Sequence, residues 1–199
     1  MDLFFSEDVL ANISYTSKFE QSLKTISMRK TPIEEILKDI ESYRSEFTYK
    51  IISQENIIGY RFKSEDSLLR KYEKTLRTGG GFKQCFNDVL GFRLHFEKYP
   101  ELFPAYFRVV DLRNGKKMDD GYRAIHLYYQ RDSHSYPIEV QLWCEKDYQF
   151  NIWSHKWVYK YLTPQIGKQL YEEYKAGIIK SENDFISQLD FLGSDNNGR

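Results

Sequence analysis

Apolar residues recur along this chain with two periods, and the switches between them predict its elements. From residue 3 to 27 the spacing is roughly helical. Leu3, Phe4, Val9, Leu10, Ile13 and Phe19 carry it, and the stretch from Asn12 to Ser17 weakens it. Thr31-Pro32 opens a second helix, with Thr31 as its cap and Pro32 in the first turn. Its apolar stripe is Ile33, Ile36, Leu37, Ile40 and Tyr43. From Ile57 the period falls to two. Ile57 to Phe62 predicts a strand with Ile58, Tyr60 and Phe62 on one face and Gly59, Arg61 and Lys63 on the other. Ser64 then caps a helix running to about Arg77, which Gly79-Gly80-Gly81 ends. This glycine run follows a helix and does not precede one, so it is not read as a phosphate loop.

Phe86 to Phe96 predicts a central strand with Leu90, Phe92, Leu94 and Phe96 toward a core and Gly91, Arg93 and His95 on the other side. Strict alternation places Asp88 with the core set, the wrong side for a carboxylate. A bulge or a strand start near Gly91 would correct this. Residues 98–105 are a short connection of about one helical turn, Tyr106 to Leu112 a strand, and Arg113 to Gly121 a charged loop. Two more strands follow. Tyr122 to Gln130 turns Tyr122, Ala124 and His126 outward, and Pro137 to Trp143 turns Glu139, Gln141 and Trp143 outward. Glu145 to about Tyr161 is a helix, Thr163-Pro164 restarts another, and residues after about Ser181 add a short one before a disordered tail, Gly193 to Arg199. Strands in this succession predict a largely antiparallel or mixed sheet.

Composition narrows the function. The 199 residues suit one domain, or one domain with helical flanks. Lys plus Arg and Asp plus Glu both number 29, so no bulk attraction to nucleic acid or to a membrane surface is implied. Cys85 and Cys144 lie in apolar runs and read as buried thiols, without zinc-type spacing. Early acids and the lack of a long apolar run predict no signal peptide and no membrane span, hence a cytoplasmic protein.

Several strand-like segments carry polar residues opposite their apolar face. They are Arg61 and Lys63, then Arg93, then Tyr122 and His126, then Glu139 and Gln141. These types suit phosphate chemistry. Arg and Lys hold a polyphosphate, and Arg also stacks on a base. Tyr122 offers a ring to a second base. Asp88 and Glu139 are candidate Mg²⁺ ligands, because a hard ion takes carboxylates and substrate phosphates.

The order Arg61-x-Lys63-x-x-x-Ser67, Asp88-x-x-Gly91-x-Arg93, a Lys-rich loop into Gly121-Tyr122-Arg123-x-x-His126, then Glu139-x-Gln141 resembles the synthetase domain of the RelA/SpoT family, over about residues 50–162. With no His-Asp dipeptide for a hydrolase half, the chain is similar to the small alarmone synthetases of that family. The resemblance implies an α+β fold: a mixed five-stranded sheet flanked by helices, nucleotidyltransferase-like, at residues 51–162, with helical arms at 1–50 and 163–199. It implies a GTP pyrophosphokinase of the stringent response, moving the β,γ-pyrophosphate of ATP to the 3′-hydroxyl of GTP or GDP to give (p)ppGpp. By that resemblance Arg61 and Arg93 would sandwich adenine, and Lys63 and Ser67 would contact the ATP phosphates. Asp88 and Glu139 would be the catalytic and Mg²⁺-binding carboxylates. Lys116 or Lys117, Tyr122, His126 and Gln141 would serve the acceptor. Homo-oligomers through the terminal helices are implied as well. The family often has Pro-Asn where Asp119-Asp120 stand here, and two acids would repel acceptor phosphates unless they turn away or bind metal. Two alternatives accompany this reading. One is a toxic relative that pyrophosphorylates tRNA 3′ ends, using exposed cations near Arg70, Lys71, Lys74 and Arg77. The other is a degenerate nucleotide-binding regulator.

Overall fold

A computed structural model of the chain describes residues 5–52, 59–158 and 164–196. Five strands form one mixed sheet in the order β1-β2-β5-β4-β3. They are β1 Tyr60–Phe62, β2 Leu90–Phe96, β3 Arg108–Asp111, β4 Ile125–Tyr129 and β5 Ile138–Cys144. Seven α-helices accompany them among the described residues: α1 Glu7–Ile13, α2 Ile33–Ile52, α3 Glu65–Thr78, α4 Phe82–Cys85, α5 Glu145–Trp153, α6 Pro164–Lys175 and α7 Glu182–Asn196. The expected mixed five-stranded sheet with flanking helices is therefore present. The chain divides into two compact units. The first holds Met1–Arg93, Leu102–Val109 and Leu127–Gln141, and the second holds Leu94–Glu101, Val110–His126 and Leu142–Arg199.

In the first unit, α1 stops at Ile13, so the long entry helix expected over 3–27 is not formed; residues 3 and 4 lie outside the described residues. The cause is a buried carboxylate. Asp39 of α2 accepts hydrogen bonds from the hydroxyls of Tyr15, Ser17 and Tyr136 and from the Lys18 backbone N–H, at 2.6–3.0 Å. Those bonds hold residues 15–18 against α2 in a non-helical path, while Tyr15, Tyr43 and Tyr136 stack beside them. Helix α2 runs as its stripe predicts, burying Ile36, Ile40, Tyr43 and Phe47. The N-terminal part of the strand expected from Ile57 lies outside the described residues. Its C-terminal part, β1, pairs antiparallel with β2, Arg61 opposite Gly91. Helix α3 begins after Ser64 and ends at Gly79, whose left-handed φ of +73° suits a residue without a Cβ. The four-residue helix α4 replaces the first part of the strand expected from Phe86, and β2 starts only at Leu90.

In the second unit, Phe150, Trp153, Ile166, Leu170, Tyr171 and Phe185 form a core on α5, α6 and α7. The helical turn expected over 98–105 is absent, and α5 passes into a π-helical turn at Ser154–Val158. Ser181 and Asp184 cap α7 reciprocally. Asp184 accepts from the backbone N–H groups of Lys180 and Ser181, and the Asp184 N–H donates to the Ser181 hydroxyl. The tail expected from Gly193 is instead helical through Asn196; residues 197–199 lie outside the described residues. No described helix is long and apolar enough to cross a membrane.

Candidate active site

The first unit gathers a cationic and an acidic set around Asp88. Lys63 leaves β1 with its backbone N–H donating to Val89 O at 2.9 Å, which places its side chain beside the turn before β2. Its ammonium donates to Asp88 Oδ2. Lys71, one helical turn beyond Ser67 on α3, donates to Asp88 Oδ1 at 2.8 Å and to Asn87 Oδ1 at 2.7 Å. The late start of β2 resolves the expected conflict over Asp88. It precedes the strand, so alternation along the strand does not govern it.

Glu139 on β5 is buried and held through both oxygens. Tyr128 OH donates to Oε1 at 2.8 Å, and Gln141 Nε2 donates to Oε2 at 2.8 Å. Gln141 Oε1 in turn accepts from Arg93 Nη2 at 3.2 Å. The Tyr128 phenol is pushed far above its ordinary value by burial and then by the negative charges of Glu139 and Asp88. It therefore stays a donor, and both carboxylates act on it. Gly91 packs against Glu139: a Cβ there would stand 3.8 Å from Glu139 Oε2. The β1–β2 register puts Arg61 directly across from Gly91 and diagonal to Arg93 on the same face. Arg61 is exposed. Ser67, the last of the expected ATP-side residues, accepts from the Ser64 hydroxyl at 2.9 Å and from Arg70 at 3.3 Å.

The second unit holds Lys116, Lys117, Tyr122 and His126 of the residues expected at the acceptor, and Gln141 lies in the first. Tyr122 OH and His126 Nε2 are 3.0 Å apart, and Trp143 Nε1 donates to the Tyr122 OH at 3.1 Å. The Lys116 ammonium lies 5.0 Å from the centre of the Tyr122 ring. Lys117 is exposed. The two acids of the loop turn to internal partners. Asp120 accepts from Lys116 at 2.7 Å. Asp119 takes a two-pronged bond from buried Arg123 at 2.7 and 3.0 Å. Burial alone would raise the Asp119 carboxyl, but bonds from Arg123 and from the Gly121 N–H outweigh it and hold the group below its ordinary value. Gly121, at φ +82°, packs on Gly167 of α6 so closely that a Cβ would fall 2.3 Å from Gly167 O. The expected repulsion between these acids and an acceptor is thus met by ion pairing within the loop.

Three outward placements expected from alternation are corrected. Ala124, just before β4, and Glu139 and Trp143 on β5 are all buried, while His126, Tyr128 and Gln141 of the same parity are half-buried, because that face is partly covered. Lys71, expected as part of an exposed basic strip, faces Asp88 instead. Tyr128 and Asn87 were not singled out from sequence. Tyr128 has a readable signal, since it shares the parity of His126 on β4. The Asn87 contact has none, because it depends on the turn after α4.

No family model matches the chain, and no curated protein does. Solved structures with some likeness include small alarmone synthetase 1 from Bacillus subtilis. It is 19% identical, with 83% of this chain and 96% of that one covered and a TM-score of 0.45. The same protein bound to its product pppGpp gives 22%, 83%, 90% and 0.42. A GTP pyrophosphokinase family protein from Streptococcus pneumoniae gives 19%, 79%, 97% and 0.41. At these identities and scores the likeness assigns neither a reaction nor a residue to this chain.

Proposed function

We propose that the protein transfers the β,γ-pyrophosphate of ATP to the 3′-hydroxyl of GTP or GDP, releasing AMP. The observation that supports this best is the set of partners drawn to two carboxylates, Asp88 and Glu139. Asp88 carries two lysine ammoniums, and Glu139 is oriented by Tyr128 and by a Gln141–Arg93 relay. That arrangement suits an anionic donor and a hydroxyl that must lose a proton.

In this reading the adenine lies between Arg61 and Arg93, which share one sheet face. Lys63, Lys71 and Ser67 take the phosphates, the lysines exchanging one Asp88 contact for a phosphate oxygen. Asp88 and Glu139 are hard oxygen donors and would hold Mg²⁺ with phosphate oxygens and water. Bound there, the ion would neutralise charge on the transferred group. Tyr122 stacks on guanine, with Lys116, Lys117 and His126 nearby for acceptor phosphates. Gln141 keeps Glu139 aimed at the 3′-hydroxyl. As the new bond from the 3′-oxygen to the β-phosphorus forms, the bond from the α,β-bridging oxygen to that phosphorus breaks. AMP leaves with the bridging oxygen, and the 3′-hydroxyl proton passes to a carboxylate.

The test is thin-layer separation of products from labelled ATP with Mg²⁺ and GTP, GDP or GMP. Asp88→Ala and Glu139→Ala serve as controls. A guanosine tetra- or pentaphosphate lost in both variants is expected. Absence of product with every guanine nucleotide would overturn the reading, and a parallel reaction with bulk tRNA would show whether the acceptor is a 3′ end instead.

A further inference from the structure

A second cavity lies in the first unit, of about 520 Å³. Of the residues given a part in the reaction above, Tyr128, which orients Glu139, is in its lining, and none of those assigned to the nucleotides is. Its wall carries three cations, Lys24, Lys83 and Arg108, and no carboxylate stands among its described lining residues. Elsewhere the chain neutralises its half-buried cations. Lys63 and Lys71 share Asp88, Lys116 has Asp120, and Arg123 has Asp119. Of the three cavity cations Lys83 is half-buried and Lys24 and Arg108 are exposed, and among the described residues none has an ion-pair partner. Burial, and then the charges of Lys24 and Arg108, lower the Lys83 ammonium from its ordinary value. Lys83 is therefore close enough to Lys24 and to Arg108 to be repelled by each, a cost that a bound anion would relieve. The remaining wall is suited to an organic body: Tyr106, Gln130 and Pro137 contribute to it.

The same wall reaches the carboxylates. The Arg108 guanidinium lies 4.4 Å from the centre of the Tyr128 ring, so its edge N–H groups are left for a ligand. Tyr128 holds Glu139, and Asn87, also in the wall, holds Lys71 beside Asp88.

We propose that this cavity binds a small phosphate-bearing ligand, its phosphate on Lys24, Lys83 and Arg108. Occupancy would bear on Glu139 through Arg108 and Tyr128, and on Lys71 through Asn87. The cavity size falls in the range that encloses a ligand of sugar-phosphate or nucleotide dimensions. The phosphate site uses cations to which the transfer reaction gives no part, and it is tested without ATP or guanine nucleotide.

Calorimetric titration of the full chain, without divalent metal, would use inorganic pyrophosphate, ribose 5-phosphate and an RNA trinucleotide as probes. Pyrophosphate or ribose 5-phosphate is expected to bind the wild type. Binding should weaken at least tenfold in Lys83→Met/Arg108→Gln and stay within twofold in Lys63→Ala. Lys24→Glu, at an exposed position, is expected to give the same loss, so the result does not hang on the folding of one variant. Tighter binding of ribose 5-phosphate than of pyrophosphate would identify an organophosphate, and the reverse a polyphosphate tail. Binding of neither would overturn the proposal. So would equal loss in Lys63→Ala, or binding of the trinucleotide alone.

Discussion

Two pairs of acids lie in or beside the strands of this protein, and the chain uses them in opposite ways. Asp88 and Glu139 in the first unit take partners from other elements. Lys63 follows β1, Lys71 is on α3 and Tyr128 is on β4. Asp119 and Asp120 in the second unit take theirs from four residues along the same loop, at Arg123 and Lys116. Exposure does not separate Asp88 from Asp119, whose side chains are 15% and 16% exposed. The partners do. Lys63 and Lys71 end in ammoniums on flexible stems, free to exchange a carboxylate for a phosphate. Arg123 is buried with its guanidinium 4.1 Å from the Tyr171 ring centre, and it is fixed by stacking as well as by charge. The long-range pair assembles a site, and the local pair closes a loop.

If that contrast is right, breaking the first pair abolishes turnover and spares the fold. Glu139→Gln keeps the shape and most hydrogen bonds but cannot accept a proton. Its kcat is expected to fall about 10³-fold, within the range of general-base effects. Its urea unfolding midpoint should stay near that of the wild type. A variant that loses stability in proportion to activity would place Glu139 with the structural acids.

Breaking the second pair does the reverse. Asp119→Ala leaves Arg123 buried without its carboxylate, a change expected to cost about 3 kcal/mol in urea unfolding. The double change Asp119→Asn/Arg123→Met should recover part of it. The pair also carries a pH signature. Because the folded Asp119 carboxyl sits below its ordinary value of 3.8, its contribution is complete above that value and is lost as pH falls through the lower, folded value. Stability of the double variant should therefore change less than that of the wild type between pH 5 and pH 2. Parallel acid arms would remove Asp119 from the account.

Much of this was legible in the chain. The strand order of polar residues, Arg61 and Lys63, then Arg93, then Glu139 and Gln141, follows from alternation alone, and the structure keeps these residues together in the first unit. What alternation misses is where a strand begins. Asp88 falls outside the pattern because the short helix α4 consumes the residues before Leu90, and four residues are too few to give a helical period. The entry segment fails for another reason. The helical spacing over 3–27 is broken after Ile13, because Asp39 offers hydroxyls and an N–H a better set of bonds, and that competition is invisible until α2 is in place. The loop acids could be read as a hazard but not as a solution, since Arg123 looked like part of a motif rather than their counterion.

The loop can also be tested through its backbone. Gly121→Ala puts a Cβ at a left-handed φ and within 2.3 Å of Gly167 O. The two penalties together are expected to cost about 2 kcal/mol. Gly167→Ala meets Asp120 O from the other side, at 2.2 Å, and should cost a similar amount. If either variant unfolds at the wild-type urea concentration, the loop is not held to α6 as closely as the contrast requires.

The smallest effect is the sharpest test of the first pair. Tyr128→Phe deletes one hydroxyl, which donates to Glu139 Oε1, and leaves the ring for Arg108 to stack on. Gln141 still holds Oε2, so the carboxylate keeps one of its two orienting bonds. A single hydrogen bond to a charged group is worth about 1.5 kcal/mol or more, which converts to roughly a tenfold loss in kcat. KM for ATP should hardly move, because Tyr128 is not among the residues assigned to the donor. A kcat within twofold of the wild type would mean that Tyr128 packs beside Glu139 but does not orient it.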